Sequence, residues 1–179
     1  MKSDYSKVVC YDMEMCCWDE GDRRVGEIIS IGIVELCLLT GRKLRDAHYY
    51  VKPDEDRVSE FCTELTGITP AMVNKQGRPL HKVLETIKQK FGGSKKTYVA
   101  WGNDTEYLGE QCKWKGIENP ITTSINAALL YMIKIRHNGS QVSMVKAMEE
   151  AGLSFEGRQH NALVDATNLS RLVFAKNLL

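Results

Sequence analysis

The chain has 179 residues, of which 43% are hydrophobic and 26% charged, a balance typical of an ordinary globular protein. A formal net charge of only +1 excludes a basic field over the whole surface, so nucleic-acid binding would need a local patch or a bound cation. The length predicts one domain over residues 1–179. Because no apolar run approaches transmembrane length, we expect a cytoplasmic protein without a membrane partner. The six cysteines form no CxxC pair, which predicts reduced thiols rather than a disulfide framework or a zinc site.

Three strand-like runs open the chain. Apolar and β-branched residues fill positions 8–11, 27–36 and 47–51, and the segment from Thr40 to Lys43 supplies a turn between the second and third runs. A polar, glycine-bearing stretch from Met15 to Gly26 predicts a loop after the first run. Short connections favour antiparallel pairing, so these strands are predicted to form a meander.

After Pro53, helical patterns alternate with two short strand patterns. We expect strands over 97–101 and 121–125, and helices over 59–65, from Thr69-Pro70, from Pro79 to Gly92-Gly93, and over 105–114, 127–136, 140–151 and 161–178. This order predicts an α/β protein with a mixed sheet and helices on its faces.

Two carboxylates stand at the end of the first strand run, in Val8-Val9-Cys10-Tyr11-Asp12-Met13-Glu14. Alternate residues of a strand face the same side, so Asp12 and Glu14 are predicted to share a face about 6–7 Å apart. Buried carboxylates repel each other unless a cation neutralises them, and Mg²⁺ or Mn²⁺ suits an all-oxygen site. The alternative is a strand end whose acids are simply solvated.

Asp104 follows the strand pattern 97–101 at a predicted strand-to-helix junction. If that strand lies beside the first, Asp104 reaches the end of the sheet at which α/β proteins bind ligands. The alternative is a helix N-cap, a position at which Asp is favoured.

The glycine-led segment from Gly157 to Asp165 carries two further candidates. Asp165 lies among the apolar residues of the last predicted helix, a placement that surface exposure does not explain. His160 on the preceding loop is suited to proton transfer, because imidazole exchanges a proton near neutral pH. The alternative for His160 is a hydrogen-bonding residue at the start of the helix.

Together, Asp12-x-Glu14, Asp104 and His160-(x)4-Asp165 resemble, in order and spacing, the DEDDh 3′→5′ exonuclease family. The segments 61–69 and 155–165 are similar to the branch that includes the histone-mRNA and small-RNA 3′-exonucleases. The resemblance implies a ribonuclease H-like fold whose five-stranded mixed sheet has three antiparallel strands followed by parallel ones. One departure is Gly102-Asn103, inserted between Trp101 and Asp104.

The resemblance also implies a role for each matching residue. Asp12, Glu14, Asp104 and Asp165 would hold two divalent cations, Mg²⁺ or Mn²⁺, and His160 would take the proton from the attacking water. Substrate contacts would come from four residues: Met13 through its backbone, Phe61 and Leu65 against the terminal base, and His160. For Phe61 and Leu65, core packing is the alternative.

Three functions follow as hypotheses. The first is a metal-dependent exonuclease on single-stranded 3′ ends that releases nucleoside 5′-monophosphates, with RNA preferred to DNA. The second is the same chemistry on DNA, as in proofreading or repair trimming. The third is a regulatory or binding module on the same fold, since a fold does not fix a function.

Overall fold

The structure is a computed structural model that describes residues 6–19, 24–137 and 140–179. Its five-stranded sheet has the order β3-β2-β1-β4-β5. The strands are β1 (Lys7–Met15), β2 (Ile28–Cys37), β3 (Lys43–Tyr50), β4 (Thr97–Ala100) and β5 (Ser124–Asn126). The first three pair antiparallel, whereas β4 runs parallel to β1 and β5 parallel to β4. The predicted mixed sheet is therefore confirmed.

Seven α-helices flank the sheet in the described part of the chain. They are α1 (Glu60–Thr66), α2 (Pro70–Gln76), α3 (Leu80–Phe91), α4 (Asp104–Lys115), α5 (Ala127–Tyr131), α6 (Met144–Glu150) and α7 (Ala162–Ala175). A 3₁₀ turn over Gly93–Lys95 precedes β4, and a π-helical turn over Met132–Arg136 extends α5. The longest apolar faces belong to α3 and α7, which bury residues such as Leu84 and Leu169 against the sheet.

The alternation along β1 divides the core into two layers. Val9, Tyr11 and Met13 pack on the side covered by α3 and α4, together with residues such as Leu84. Val8 and Cys10 pack on the opposite side, which is covered by α6 and α7. Since side chains alternate along a strand, Asp12 and Glu14 continue the row of Val8 and Cys10 and face α7.

The helix predicted over 140–151 is shorter than expected. It begins at Met144, because the Ser143 hydroxyl, and not that of Ser140, accepts the amide of Lys146 and caps the first turn. The preceding segment runs alongside Trp101, whose indole N–H donates to the Val142 carbonyl at 3.3 Å. The helical prediction for residues 140–143 was wrong.

The strand predicted over 121–125 is also displaced, to Ser124–Asn126. The amide of Ile121 donates to the side chain of Asn119 in a local turn and does not join the sheet. The apolar residue at position 121 is explained by core packing, since Ile121 packs with the buried residues of α3 and not within a strand. The last helix likewise covers 162–175 instead of 161–178, with Asn161 as its cap.

The loop predicted from Met15 to Gly26 lies partly outside the described residues, which omit 20–23. Its end is held by the buried Glu27, whose carboxylate accepts the backbone amides of Asp54, Glu55 and Asp56 and the ammonium of Lys115. Burial opposes ionisation of Glu27, but these donors outweigh it and lower its pKa. No described helix is long and apolar enough to span a membrane. All six cysteines are free thiols, and four of them are buried: Cys10, Cys16, Cys62 and Cys112.

Candidate active site

An open cleft of about 380 Å³ lies at the carboxyl ends of β1 and β4. Its lining includes all five predicted catalytic residues, Asp12, Glu14, Asp104, His160 and Asp165. They come from four places in the chain: β1, the start of α4, the loop before α7, and the first turn of α7. The parallel pairing of β1 with β4 brings these places to one edge of the sheet, where open α/β sheets bind ligands.

Three of the carboxylates form a compact group. One oxygen each from Asp12, Glu14 and Asp165 lies within 4.8 Å of the other two. Glu14 and Asp165 are 8% and 7% exposed, so this is not a solvated cluster. The solvated strand end considered from the sequence is therefore excluded for Glu14.

Asp165 reaches β1 because α7 starts directly on the sheet. Gly32 of β2 is the cross-strand partner of Asp12, and a Cβ at Gly32 would lie only 2.1 Å from the carbonyl carbon of Ala162. Only glycine permits this approach of helix and strand. The side chain of Asn161 caps the first turn of α7. The backbone N–H of Asn161 donates to the Asp165 carboxylate at 3.1 Å.

Asp104 is the first residue of α4, and the cap position belongs to Asn103, so the N-cap alternative was wrong. Its carboxylate is outside the compact group of three but lines the same cleft. Backbone groups of Met13 and of Asp104 itself hydrogen-bond to it. The inserted Gly102 adopts a φ of +99°, which turns the chain from β4 into α4 and leaves Asp104 at the cleft.

A chain of three hydroxyls holds the start of α4 in place. The Tyr11 hydroxyl lies 2.7 Å from Oγ1 of Thr105, which lies 2.7 Å from Oγ of Ser124. These residues belong to β1, α4 and β5, and Thr105 directly follows Asp104. The hydrogen bonds therefore fix the position of Asp104 relative to the two strands.

Burial raises the pKa of all four carboxyl groups, and repulsion from neighbouring carboxylates adds to the rise at Asp12, Glu14 and Asp104. The pKa rises to about 8 at Glu14, to about 7 at Asp104 and to about 6 at Asp165, and stands well above the usual value at Asp12. Within the described residues, no lysine or arginine contributes to any of these shifts. An uncompensated group of carboxylate oxygens is the donor set that hard divalent cations prefer, so these acidic residues fit a metal site.

His160 lies on the exposed rim of the cleft. Its backbone has a φ of +60°, which is uncommon for a residue other than glycine, and its amide hydrogen-bonds to Asp165. The residue that caps the helix is Asn161, and His160 directly precedes it. Its side chain is available at the cleft.

The predicted substrate contacts are placed in two different ways. Met13 is 5% exposed and lines the cleft between the two acids of β1. Phe61 and Leu65 lie on α1, outside the cleft lining, and are 38% and 36% exposed. Core packing therefore does not explain these two apolar residues.

Other residues of the cleft wall were not singled out from the sequence. They include Trp101, Tyr107, Gln141, Ser143 and Phe155. Tyr107 lies one helical turn after Asp104, and that spacing could have indicated it. Gln141 and Ser143 carried no such signal, because the segment before α6 was predicted to be helical.

The five-stranded mixed sheet and its acidic cleft define the class of DEDDh nucleases. The nuclease domain of 3′hExo, described as a DEDDh family member and bound to rAMP, superposes with a TM-score of 0.84 at 27% identity, covering 97% of this chain and 92% of that one. The exonuclease (RNase_T) family model matches residues 9–173, and the chain belongs to this family.

Two relatives from mouse show how much of a longer protein the chain matches. ERI1 exoribonuclease 2 of Mus musculus is 29% identical over 202 residues, covering 97% of this chain and 29% of the relative. The 3′-5′ exoribonuclease 1 of Mus musculus is 30% identical over 183 residues, covering 95% of this chain and 52% of the relative. The chain thus spans about a third to a half of the length of these two relatives.

Proposed function

We propose that the protein hydrolyses phosphodiester bonds at single-stranded 3′ ends in the 3′→5′ direction, releases nucleoside 5′-monophosphates and prefers RNA to DNA. The observation that carries the proposal is the meeting of Asp12, Glu14 and Asp165 within 4.8 Å, in a cleft that also holds Asp104 and His160. Membership of the exonuclease family supports the reaction. Relatives named as exoribonucleases support the RNA preference. We further propose that residues 1–179 act as one exonuclease domain in the cytoplasm.

The four carboxylates would hold two divalent cations, Mg²⁺ or Mn²⁺. When bound, such cations supply Lewis-acid activation of the attacking water and neutralise charge on the phosphate and the leaving oxygen. The residues themselves supply oxygen ligands only, because the cluster of Asp12, Glu14 and Asp165 contains neither cysteine nor histidine. This composition favours the hard ions Mg²⁺ and Mn²⁺ over zinc.

His160 would act as the general base. Its exposed side chain lines the cleft, so its imidazole can take the proton of the attacking water and release it to solvent. The backbone hydrogen bond to Asp165 keeps the loop next to the carboxylates. His160 would thereby stay beside the reacting phosphate, and it is not part of the carboxylate cluster that would hold the metal.

Substrate binding would use the backbone of Met13 and the apolar side chains of α1. Met13 lies at the cleft floor, and Phe61 and Leu65 expose apolar surface on a helix whose end contacts the loop of His160. Contact of an apolar surface with a base favours unpaired ends and tolerates any base. This arrangement supports single-stranded substrates without a strict sequence requirement.

The test uses matched RNA and DNA oligonucleotides labelled at the 5′ end, incubated with Mg²⁺, Mn²⁺ or EDTA. We expect a ladder that shortens from the 3′ end, depends on metal and forms faster on RNA. Asp12→Ala should abolish it, and Glu110→Gln, on the exposed face of α4, is the matched control that should retain it. Faster degradation of DNA would favour the repair or proofreading alternative. Intact oligonucleotides under all conditions would refute the enzyme and leave the binding module.

A further inference from the structure

Arg158 joins the loop of His160 to the end of α1. Its guanidinium Nη2 donates to the carbonyl of Glu64 at 2.5 Å and to that of Leu65 at 3.3 Å. Both carbonyls belong to the last turn of α1, where helical carbonyls lack partners within the helix. The last turn contains no basic residue of its own, so Arg158 supplies the cation that a helix C-terminus favours.

The loop that carries Arg158 is held at both of its ends. On one side, Gly157 has a φ of +89° and packs so closely on Val164 that an added Cβ would lie 3.0 Å from Cγ1 of that residue. On the other side, the backbone amides of His160 and Asn161 hydrogen-bond to Asp165. Between Gly157 and His160, the side chain of Arg158 connects the loop to α1 through its hydrogen bond to the Glu64 carbonyl.

The hydrogen bonds of Arg158 link α1, which lies outside the cleft lining, to the loop that carries His160 at the cleft. α1 carries the exposed Phe61 and Leu65, which lie outside the cleft lining, whereas the loop carries His160 on the rim. His160 is held in a left-handed backbone conformation, which is strained for a residue other than glycine and persists only where neighbouring contacts enforce it. A shift of α1 would therefore reach His160 through Arg158.

We propose that Arg158 is a positioning residue that places His160 for proton transfer when α1 contacts the base of the terminal nucleotide. The inference rests on the proposed function and adds a residue that does not contact the reacting atoms. The 3′-terminal base fixes α1, the last turn of α1 fixes Arg158, and Arg158 fixes the loop. A 3′ end without a base would leave this connection unused.

The test compares Arg158→Met, which keeps the length of the side chain and removes its donors, with Arg158→Lys, which keeps a charged donor. Each is assayed on RNA with a normal 3′-terminal nucleotide and on the same RNA with an abasic one. Arg42→Met is the matched control, because Arg42 is exposed in the turn between β2 and β3, at the end of the sheet away from the cleft.

On the normal substrate, Arg158→Met should lower kcat about tenfold and leave KM nearly unchanged, because a small displacement of a catalytic group reduces turnover more than binding. Arg158→Lys should restore part of the loss. On the abasic substrate, the wild type and Arg158→Met should have the same kcat.

Two results would overturn the inference while leaving the proposed function in place. One is an equal loss of kcat on both substrates, which would give Arg158 a general structural role. The other is an unchanged kcat on the normal substrate. If the wild type does not shorten the normal substrate in the presence of metal, the proposed function itself fails. The wild-type assay alone distinguishes that outcome from a failure of the inference about Arg158.

Discussion

Replacing Asp165 by asparagine should stabilise the metal-free protein while removing its response to metal. Asp165 is 7% exposed, and burial raises its pKa from 3.8 to about 6. The folded state therefore binds more protons than the unfolded state between these values, so stability is full below pH 4 and falls as the pH rises through 6. An asparagine keeps a carbonyl oxygen for the amide of Asn161 and carries no charge.

The size of the effect follows from the shift. One pKa unit corresponds to about 1.4 kcal/mol, so a rise from 3.8 to about 6 is roughly 3 kcal/mol lost above pH 7 in the absence of metal. For a chain of 179 residues this corresponds to a rise in Tm of about 6–12 °C in Asp165→Asn at pH 8. Near pH 4 the gain should vanish, because the aspartate is then protonated as well.

The assay is thermal unfolding followed by circular dichroism at pH 4, 6 and 8, in EDTA or in saturating Mg²⁺. The wild type should gain Tm on addition of Mg²⁺, most strongly at pH 8, and Asp165→Asn should gain little. Glu110→Gln is the control for the loss of an exposed charge. An Asp165→Asn protein that is less stable than the wild type in EDTA at pH 8 would refute the electrostatic reasoning.

Three further predictions concern other parts of the molecule. His160→Ala should lower turnover at least a hundredfold and leave the calorimetric Mn²⁺ affinity unchanged, and a matching loss of affinity would contradict its role as base. Gly32→Ala should raise the Kd for Mn²⁺ at least tenfold in the same titration, because its Cβ pushes α7 away from Asp12. Glu27→Gln should lower the free energy of unfolding by about 3 kcal/mol in urea titrations, because Lys115 loses a buried partner; an unchanged midpoint would argue against that pairing.

Much of the fold and of the acidic group could be predicted because the relevant signals are local. The alternation along β1 placed Asp12 and Glu14 on one face, and the apolar surroundings of Asp165 indicated that it is buried. The antiparallel pairing of the first three strands followed from the shortness of their connections, whereas the place of β4 beside β1 did not. The predicted properties depend on residues close in the chain, so they can be deduced without knowledge of the tertiary contacts.

The parts that sequence reasoning missed depend on contacts between distant segments. Residues 140–143 are not helical, and the carbonyl of Val142 accepts a hydrogen bond from the indole of Trp101, 41 residues earlier in the chain. The contact of Arg158 with Leu65 spans 93 residues and leaves no periodic trace in either segment. Gly32 looks like any glycine in a strand until the position of α7 is known.

The close approach at Gly32 separates the geometry of the acidic group from the composition of the core. The spacing between β2 and the start of α7 is set where backbone meets backbone, at Gly32 and Ala162. Apolar residues deeper in the same layer, such as Val34 and Leu169, contribute stability but do not determine that spacing. Many combinations of apolar side chains could therefore fill this layer while Asp165 remains beside Asp12. The same protein can accommodate wide variation in its interior and still keep its carboxylates a fixed distance apart.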